Sequence, residues 1–250
     1  MTSFSWFRRV AHSLNHSRPW WWRGLVHTLK ADRWAWWVEP ENEVQIHPRA
    51  LWLDLTLRGQ GNRVVVEPGA RLRGVTLDIA GEGHLVHIPR GCVLNQVYIR
   101  IRGKNNRLEL AERVRFTRGG EIWLEDEGSQ VYIGQDTTIV QAHLSAIEGT
   151  TLRIEEGCLF AYQIEVRTGD SHSILDAATG GRLNPSADVV IGPRVWIGAR
   201  ALVLKGARVP PDSVVAAAAV VTRPFEEPGV VLAGHPARIV KRGIRWTSKR

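Results

Sequence analysis

Cysteine and long apolar runs are scarce in this sequence. Its 250 residues include two cysteines, Cys92 and Cys158, which do not form a metal or redox motif. No window approaches the roughly eighteen uncharged apolar residues that a transmembrane helix needs. The first residues also lack the apolar core and the cleavage site of a signal peptide. Together these absences predict a reducing, cytoplasmic setting.

The net charge of +8 is concentrated at the two ends of the chain. Residues 1–38 contain six Arg or Lys and one Asp, and residues 238–250 contain six and no acid. The middle of the chain is slightly acidic, so we expect no nucleic-acid partner. A zinc site is also not expected, because the repeat region lacks histidines spaced to converge on one ion.

A strict six-residue repeat runs through the C-terminal part of the chain, and a related repeat of 21 to 23 residues precedes it. The anchors of the short repeat are Ile191, Ile197, Val203, Val209, Val215 and Val221, and those of the long repeat are Val66, Ile88, Leu110, Ile133 and Ile154. A smaller residue follows four positions later, and Cys92 and Cys158 occupy two such places, which indicates small core residues. A period of six fits neither a helix nor a simple strand. It is typical of a coil of three short strands, each with one inward side chain.

These repeats resemble the hexapeptide-repeat acyltransferases. The segments that carry the resemblance are IGPRVWIGARALVLKGARVPPDSVVAAAAVVTR (191–223), AGHPARIV (233–240) and DSHSI (170–174). The last is similar to a signature of the capsule, surface-polysaccharide and sialic-acid O-acetyltransferases. The resemblance implies an all-β fold, a left-handed parallel β-helix. We assign it to residues 41–240 with a loop at 167–188, flanked by an N-terminal helical extension (1–40) and a short basic C-terminal tail (241–250).

The N-terminal extension combines aromatic and basic residues. Its aromatic residues are Phe4, Trp6, Phe7, Trp20, Trp21, Trp22, Trp34, Trp36 and Trp37. Apolar residues at helical spacing, including Trp22, Leu25/Val26 and Leu29, predict two short helices separated by Pro19. Such a segment caps the open end of a β-helix, mediates a subunit contact, or lies in a membrane interface; the first two interpretations are preferred.

The resemblance assigns His172 as the general base that takes a proton from an acceptor hydroxyl. A neutral imidazole suits this role near neutral pH. Asp170 lies two residues earlier, so in an extended segment both side chains would point to the same side. Asp170 would then orient the imidazole or bind the sugar. The alternative for DSHS is an ordinary polar corner loop.

Trp196 precedes an inward anchor and is therefore expected to point outward. The resemblance places it in the site, beside a sugar ring or the acyl-CoA arm; the alternative is a subunit-interface aromatic residue. A backbone N–H of residues 196–198 or the Trp196 indole would stabilise the oxyanion. The resemblance also implies an acetyl-CoA site, which we assign to Gly198, Ala216, Ala218, Thr222, Arg223 and Arg238.

The function implied is transfer of an acetyl group from acetyl-CoA to a sugar hydroxyl of a surface polysaccharide or its precursor. Direct transfer in a ternary complex is preferred over an acyl-enzyme on Ser171 or Ser173. The resemblance also implies a homotrimer, because family sites lie between subunits. The alternatives are acylation of a small amine or amino acid, and a non-catalytic β-helix scaffold.

Deleting residues 1–37 tests whether the aromatic segment binds membranes at the inner face of the cell membrane. If it does, the truncated protein will cosediment with anionic vesicles less than the full chain, since aromatic and basic residues both contribute to interfacial binding. Equal cosedimentation would leave only the cap and subunit-contact interpretations.

Overall fold

The chain folds into a three-sided β-solenoid. The computed structural model describes residues 25–26, 36–46 and 52–249, with side chains described from residue 37 onward. Successive strands occupy three sheets in turn, so each circuit of the chain adds one strand to each sheet. Within the sheets the pairing is parallel except at the two ends, where β1 pairs with β2 and β26 with β27 in antiparallel fashion.

Within the described residues, sheet A has ten strands, sheet B eight and sheet C nine. Sheet A contains β1 (Leu25–Val26), β2 (Trp36–Val38), β4 (Leu53–Gln60), β7 (Val75–Glu82), β10 (Val97–Lys104), β13 (Gly120–Leu124), β16 (Ala142–Ala146), β19 (Ile164–Arg167), β22 (Leu202–Val203) and β25 (Val220–Val221). Sheet B contains β3 (Glu43–Ile46), β5 (Arg63–Val66), β8 (Leu85–Ile88), β11 (Arg107–Leu110), β14 (Gln130–Ile133), β17 (Thr151–Ile154), β20 (Val189–Ile191) and β23 (Arg208–Val209). Sheet C contains β6 (Arg71–Arg73), β9 (Val93–Asn95), β12 (Arg115–Phe116), β15 (Thr138–Ile139), β18 (Leu159–Phe160), β21 (Trp196–Ile197), β24 (Val214–Val215), β26 (Val231–Gly234) and β27 (Ala237–Lys241).

The repeat anchors form the core of the solenoid. All eleven anchor residues are buried, and so are the residues four positions after them, which are smaller than their anchors except after Val221, where Phe225 stands. Side chains alternate inward and outward along each strand, and the parallel pairing aligns inward residues of successive coils. The prediction of a parallel three-sided coil is confirmed, and its core is one continuous apolar column.

The two cysteines are small core residues, as predicted. Both are free and buried. Burial raises the pKa of the Cys92 thiol to about 11 and that of the Cys158 thiol to about 12. Both side chains therefore stay protonated near neutral pH and are poor nucleophiles.

A ladder of buried polar groups follows the corner between sheets A and B. The side chain of each residue accepts a hydrogen bond from a backbone N–H of the next coil. Asn42 accepts from the N–H of Asn62, Asn62 from that of His84, His84 from that of Asn106, Asn106 from that of Ser129, and Ser129 from that of Gly149. Burial lowers the pKa of His84, and its Nδ1 accepts a hydrogen bond from the Asn106 N–H. His84 is therefore a neutral structural residue.

The structure corrects part of the N-terminal prediction. Leu25–Val26 and Trp36–Val38 are strands that extend sheet A. Strand β2 pairs with β4 and β1 pairs with β2, and this pairing satisfies backbone hydrogen bonds that a helix would make internally. The helical prediction is wrong at these residues, and the rest of it lies outside the described residues. No helix in the described part of the chain is long and apolar enough to cross a membrane. The same residues contain no cluster of three or more side chains suited to a metal ion.

Alanine substitutions at two glycines with positive φ test how closely successive coils stack. A Cβ on Gly103 (φ +101°) would overlap the Asp126 carbonyl oxygen, whereas a Cβ on Gly128 (φ +75°) would meet nothing within 4 Å. Both Gly→Ala variants incur the cost of a left-handed residue, about 1–2 kcal/mol. We expect the free energy of unfolding to fall by at least about 2 kcal/mol more in Gly103→Ala than in Gly128→Ala, as measured by urea unfolding with equal m-values. Equal losses would contradict the close approach.

Candidate active site

A twenty-residue excursion leaves the corner between sheets A and B. It begins at Thr168, directly after β19, and returns before β20. The Ala187 N–H donates to the Thr168 carbonyl oxygen at 2.9 Å, which closes the base of this catalytic-loop candidate, residues 168–187. Thr168 also ends the polar ladder, because its Oγ1 accepts hydrogen bonds from the Ile147 N–H and the Thr150 hydroxyl. The loop is thus attached to the corner of the coil that carries the polar ladder.

Close packing and an ion pair anchor the base of the loop. A Cβ on Gly169 would overlap Ser186 Oγ, so only glycine fits there. Glu148, on the preceding coil, accepts a hydrogen bond from Ser186 Oγ at 2.8 Å and pairs with Arg182 at 2.8 Å. The hydrogen bond from Arg182 is the main reason that the pKa of Glu148 lies below its usual value. Both sides of the loop are therefore held to the coil.

Asn184 fixes the backbone around His172. This buried side chain, only 7 % exposed, donates from Nδ2 to Asp170 Oδ2 and to the His172 carbonyl oxygen, each at 2.8 Å. Its Oδ1 accepts from the Ile174 N–H at 2.6 Å. Sequence reasoning missed Asn184, because an asparagine before a proline in a loop is typical of an ordinary turn. The imidazole of His172 itself is exposed.

Asp170 contacts Lys205 and Asn184. Its Oδ2 lies 2.5 Å from Lys205 Nζ, and this hydrogen bond, followed by that from Asn184, lowers the pKa of Asp170. No hydrogen bond joins its carboxylate to the His172 imidazole in the described part of the chain. Ser171 has φ +65°, so the segment is not extended. The expectation that Asp170 and His172 point to the same side applied only to an extended segment. The contacts of Asp170 tie the loop to Lys205 at the corner between sheets A and B.

Trp196 lies on a different side of the coil from His172. It points outward with 41 % exposure, as predicted, and it belongs to sheet C. The loop contacts Glu148 and Lys205 at the corner between sheets A and B, which is opposite sheet C in a three-sided coil. The structure therefore does not bring His172 and Trp196 together within one chain.

The geometry corrects the expected amide donors of the cofactor site. The N–H groups of Gly198, Ala216 and Ala218 already donate to Val215, Leu232 and Ala199 carbonyl oxygens at 2.7, 2.8 and 2.9 Å. These bonds stack one coil on the next and leave no free N–H at the three residues. Among the described residues at the corner between sheets C and A, the N–H groups of Ala199 and Ala217 have no such partner. The free donors are thus displaced by one residue from the predicted ones.

The remaining cofactor candidates lie at the C-terminal end of the coil. Thr222 and Arg223 are exposed directly after β25, and Arg238 is exposed on β27. The Arg223 guanidinium lies over the Phe225 ring, 4.9 Å from its centroid. These exposed side chains are available to an anionic ligand.

Replacing Lys205 by Met tests the contact with Asp170. Without the ammonium, the pKa of Asp170 should rise toward the ordinary aspartate value of about 3.9, as measured by a carboxylate NMR titration. The sign follows from the lowered folded-state pKa: the pair stabilises the fold above the unfolded pKa and loses this effect as pH falls through the folded one. Lys249→Met is the charge-matched control, and an unchanged Asp170 pKa would contradict the contact.

Comparison with known proteins places the chain among acetyltransferases. No model of a known protein family matches it. A polysialic acid O-acetyltransferase of Neisseria meningitidis is 30 % identical over 149 residues, which cover 60 % of this chain and 68 % of the relative. One from Escherichia coli O1:K1 / APEC is 31 % identical over 121 residues, which cover 48 % of this chain but only 39 % of the relative.

Two solved structures have the same architecture. The polysialic acid O-acetyltransferase OatWY matches with a TM-score of 0.63 and 26 % identity, covering 84 % of this chain and 89 % of the other. The polySia-specific acetyltransferase NeuO matches with a TM-score of 0.66 and 25 % identity, covering 85 % and 92 %. With the repeats and the solenoid already established, these relationships show that the chain is an acetyltransferase and belongs to the hexapeptide-repeat family that includes the polysialic acid O-acetyltransferases.

Proposed function

We propose that the protein transfers an acetyl group from acetyl-CoA to a sugar hydroxyl of a surface polysaccharide or its precursor. The observation that carries this proposal is the exposed His172, on a loop whose backbone is fixed by the buried side chain of Asn184. A general base needs such a fixed position combined with access to the acceptor. The names of the relatives make polysialic acid the first acceptor to test.

Direct transfer fits the available groups. The neutral imidazole of His172 takes the proton of the acceptor hydroxyl as its oxygen attacks the thioester carbonyl carbon. The new C–O bond forms, the C–S bond breaks through a tetrahedral intermediate, and the imidazolium returns its proton to the departing CoA sulfur. The proton balance closes without an acyl-enzyme, and the buried thiols of Cys92 and Cys158 have no part in it.

The corner between sheets C and A is the proposed place for the pantetheine arm of acetyl-CoA. Ala199 and Ala217 occupy equivalent positions on successive coils, and their unpaired N–H groups match the amide carbonyls of that arm. Thr222, Arg223 and Arg238 remain the proposed partners of the nucleotide phosphates. The left-handed sense of the coil is part of this proposal, as the family resemblance implies it.

A site formed between two subunits would bring His172 of one subunit close to Trp196 of its neighbour. The loop exposes three large apolar side chains, Ile174, Leu175 and Leu183, each at 58–60 %. Clustered apolar exposure of this kind favours a protein contact. We infer a homotrimer in which the loop of one subunit meets sheet C of its neighbour, in a cytoplasmic protein or one bound at the inner face of the membrane.

Replacing His172 by Ala tests the general base. We expect turnover to fall by a factor of at least about 10² with the fold and assembly retained, because the exposed imidazole is not part of the core. The measurement is thiol release from acetyl-CoA with a panel of polysaccharides and simple amines, and His235→Ala is a control for an exposed histidine elsewhere.

Near-normal turnover in His172→Ala would reject the base assignment. Release that depends on an amine and not on a glycan would favour the small-amine alternative. No release with any acceptor, together with no binding of acetyl-CoA, would favour a non-catalytic scaffold.

A further inference from the structure

The C-terminal tail folds back across sheet C and packs against Trp196. The Ile244 N–H donates to the Gly229 carbonyl oxygen at 2.9 Å, which fixes where the tail turns. The indole N–H of Trp246 donates to the Arg194 carbonyl oxygen at 2.6 Å. The Trp246 and Trp196 rings then meet with centroids 6.2 Å apart and planes inclined by 44°. The tail is therefore a built part of this surface.

A cavity of about 320 Å³ lies between the tail and the coil. One wall is formed by Arg245 and Trp246 of the tail, and the other by Gly157, Arg194 and Asp212 on three successive coils. These three residues follow strands of sheet B and precede strands of sheet C. The cavity thus occupies the corner between sheets B and C, beside the exposed face of Trp196.

The cavity carries one positive charge without a partner. Arg194 binds Asp212 through two hydrogen bonds, of 2.6 and 2.8 Å, and these lower the pKa of Asp212. Arg245 lines the same cavity as this pair, and its charge also lowers the pKa of Asp212. Arg245 is exposed and forms no ion pair with any residue that the structure describes. Arg194 is thus neutralised by Asp212 and also has Glu156 Oε1 at 4.0 Å, whereas the guanidinium of Arg245 is exposed to an incoming ligand.

We propose that the tail and sheet C form a subsite for a carboxylate-bearing sugar of the acceptor. The Trp196 and Trp246 rings offer flat apolar surfaces for the face of a sugar ring. Arg245 supplies a planar fork of donors for the carboxylate. This inference rests on the proposed function, and it makes Trp246 and Arg245 specificity-determining residues for an anionic acceptor.

The acceptor fits this subsite better than acetyl-CoA does. The unpaired amides of Ala199 and Ala217 lie at the opposite edge of sheet C, at its corner with sheet A. Trp196 stands between the two edges on β21. Donor and acceptor would therefore approach Trp196 from opposite edges.

A matched pair of arginine substitutions tests the subsite. Arg245→Gln and Arg242→Gln each remove one charge from the tail, but Arg242 pairs with Glu227 and does not line the cavity. With an oligomer of sialic acid as the probe in calorimetry, we expect about 10-fold weaker binding for Arg245→Gln and less than about 2-fold for Arg242→Gln. The same oligomer with its carboxylates amidated should bind both variants and the unmodified protein equally weakly.

Two further measurements separate the outcomes. Trp246→Ala should weaken oligomer binding more than Trp246→Phe, and near-ultraviolet circular dichroism should report an intact indole pair in Arg245→Gln. Equal losses in the two arginine variants would reduce the effect to diffuse charge and overturn the subsite. If Arg245→Gln weakened the binding of acetyl-CoA and left that of the oligomer unchanged, the cavity would belong to the acetyl donor. That result would also overturn the subsite.

The test is independent of catalysis. Sialic acid oligomer binding that depends on Arg245, without thiol release in any assay, would sustain the subsite and reject the proposed reaction. Thiol release that depends on His172, together with oligomer binding that is unchanged in Arg245→Gln, would support the proposed reaction and reject the subsite.

Discussion

The stacking of each coil on the next through backbone hydrogen bonds is the constraint on which the rest of this structure depends. An inner strand of the solenoid both donates to and accepts from the strands of the two neighbouring coils, so the N–H groups of its strands are occupied by the stacking. A regular coil therefore has little left with which to bind a ligand. Chemistry is confined to places where the ladder is interrupted.

Three interruptions matter, and each has a different origin. At the corner between sheets A and B, the polar ladder ends at Thr168, and the chain leaves the coil as the loop that carries His172. At the corner between sheets C and A, the turns leave some backbone amides of the described residues without a partner, among them those of Ala199 and Ala217. Beyond the last coil the tail returns to sheet C and adds Trp246 beside Trp196. A rigid scaffold thus holds a loop, an amide row and an aromatic surface in defined positions.

The sequence was sufficient to predict the coil, because its geometry repeats and the pattern therefore appears many times. Every anchor from Val66 to Val221 is buried, and the equivalence of Cys92 and Cys158 follows from the same period. Short apolar segments outside the repeat are ambiguous between helix and strand, which is why Leu25–Val26 was mispredicted as helix. The existence of the catalytic loop was also predictable, as it interrupts an otherwise regular period.

The contacts inside the site were not predictable, since each occurs once. Asn184 and Lys205 reach Asp170 from 14 and 35 residues away, and nothing periodic connects these positions. The hydrogen bonds of the amides at Gly198, Ala216 and Ala218 were unpredictable for a related reason. Sequence similarity aligns side chains, whereas the availability of an N–H depends on whether the coil above has already bonded it. Gly198 illustrates the point, since a Cβ there would lie 2.6 Å from the Ala217 nitrogen. Its small size permits the close stacking of two coils, and that stacking also occupies its own amide, whereas the N–H of the neighbouring Ala199 is left without a partner among the described residues.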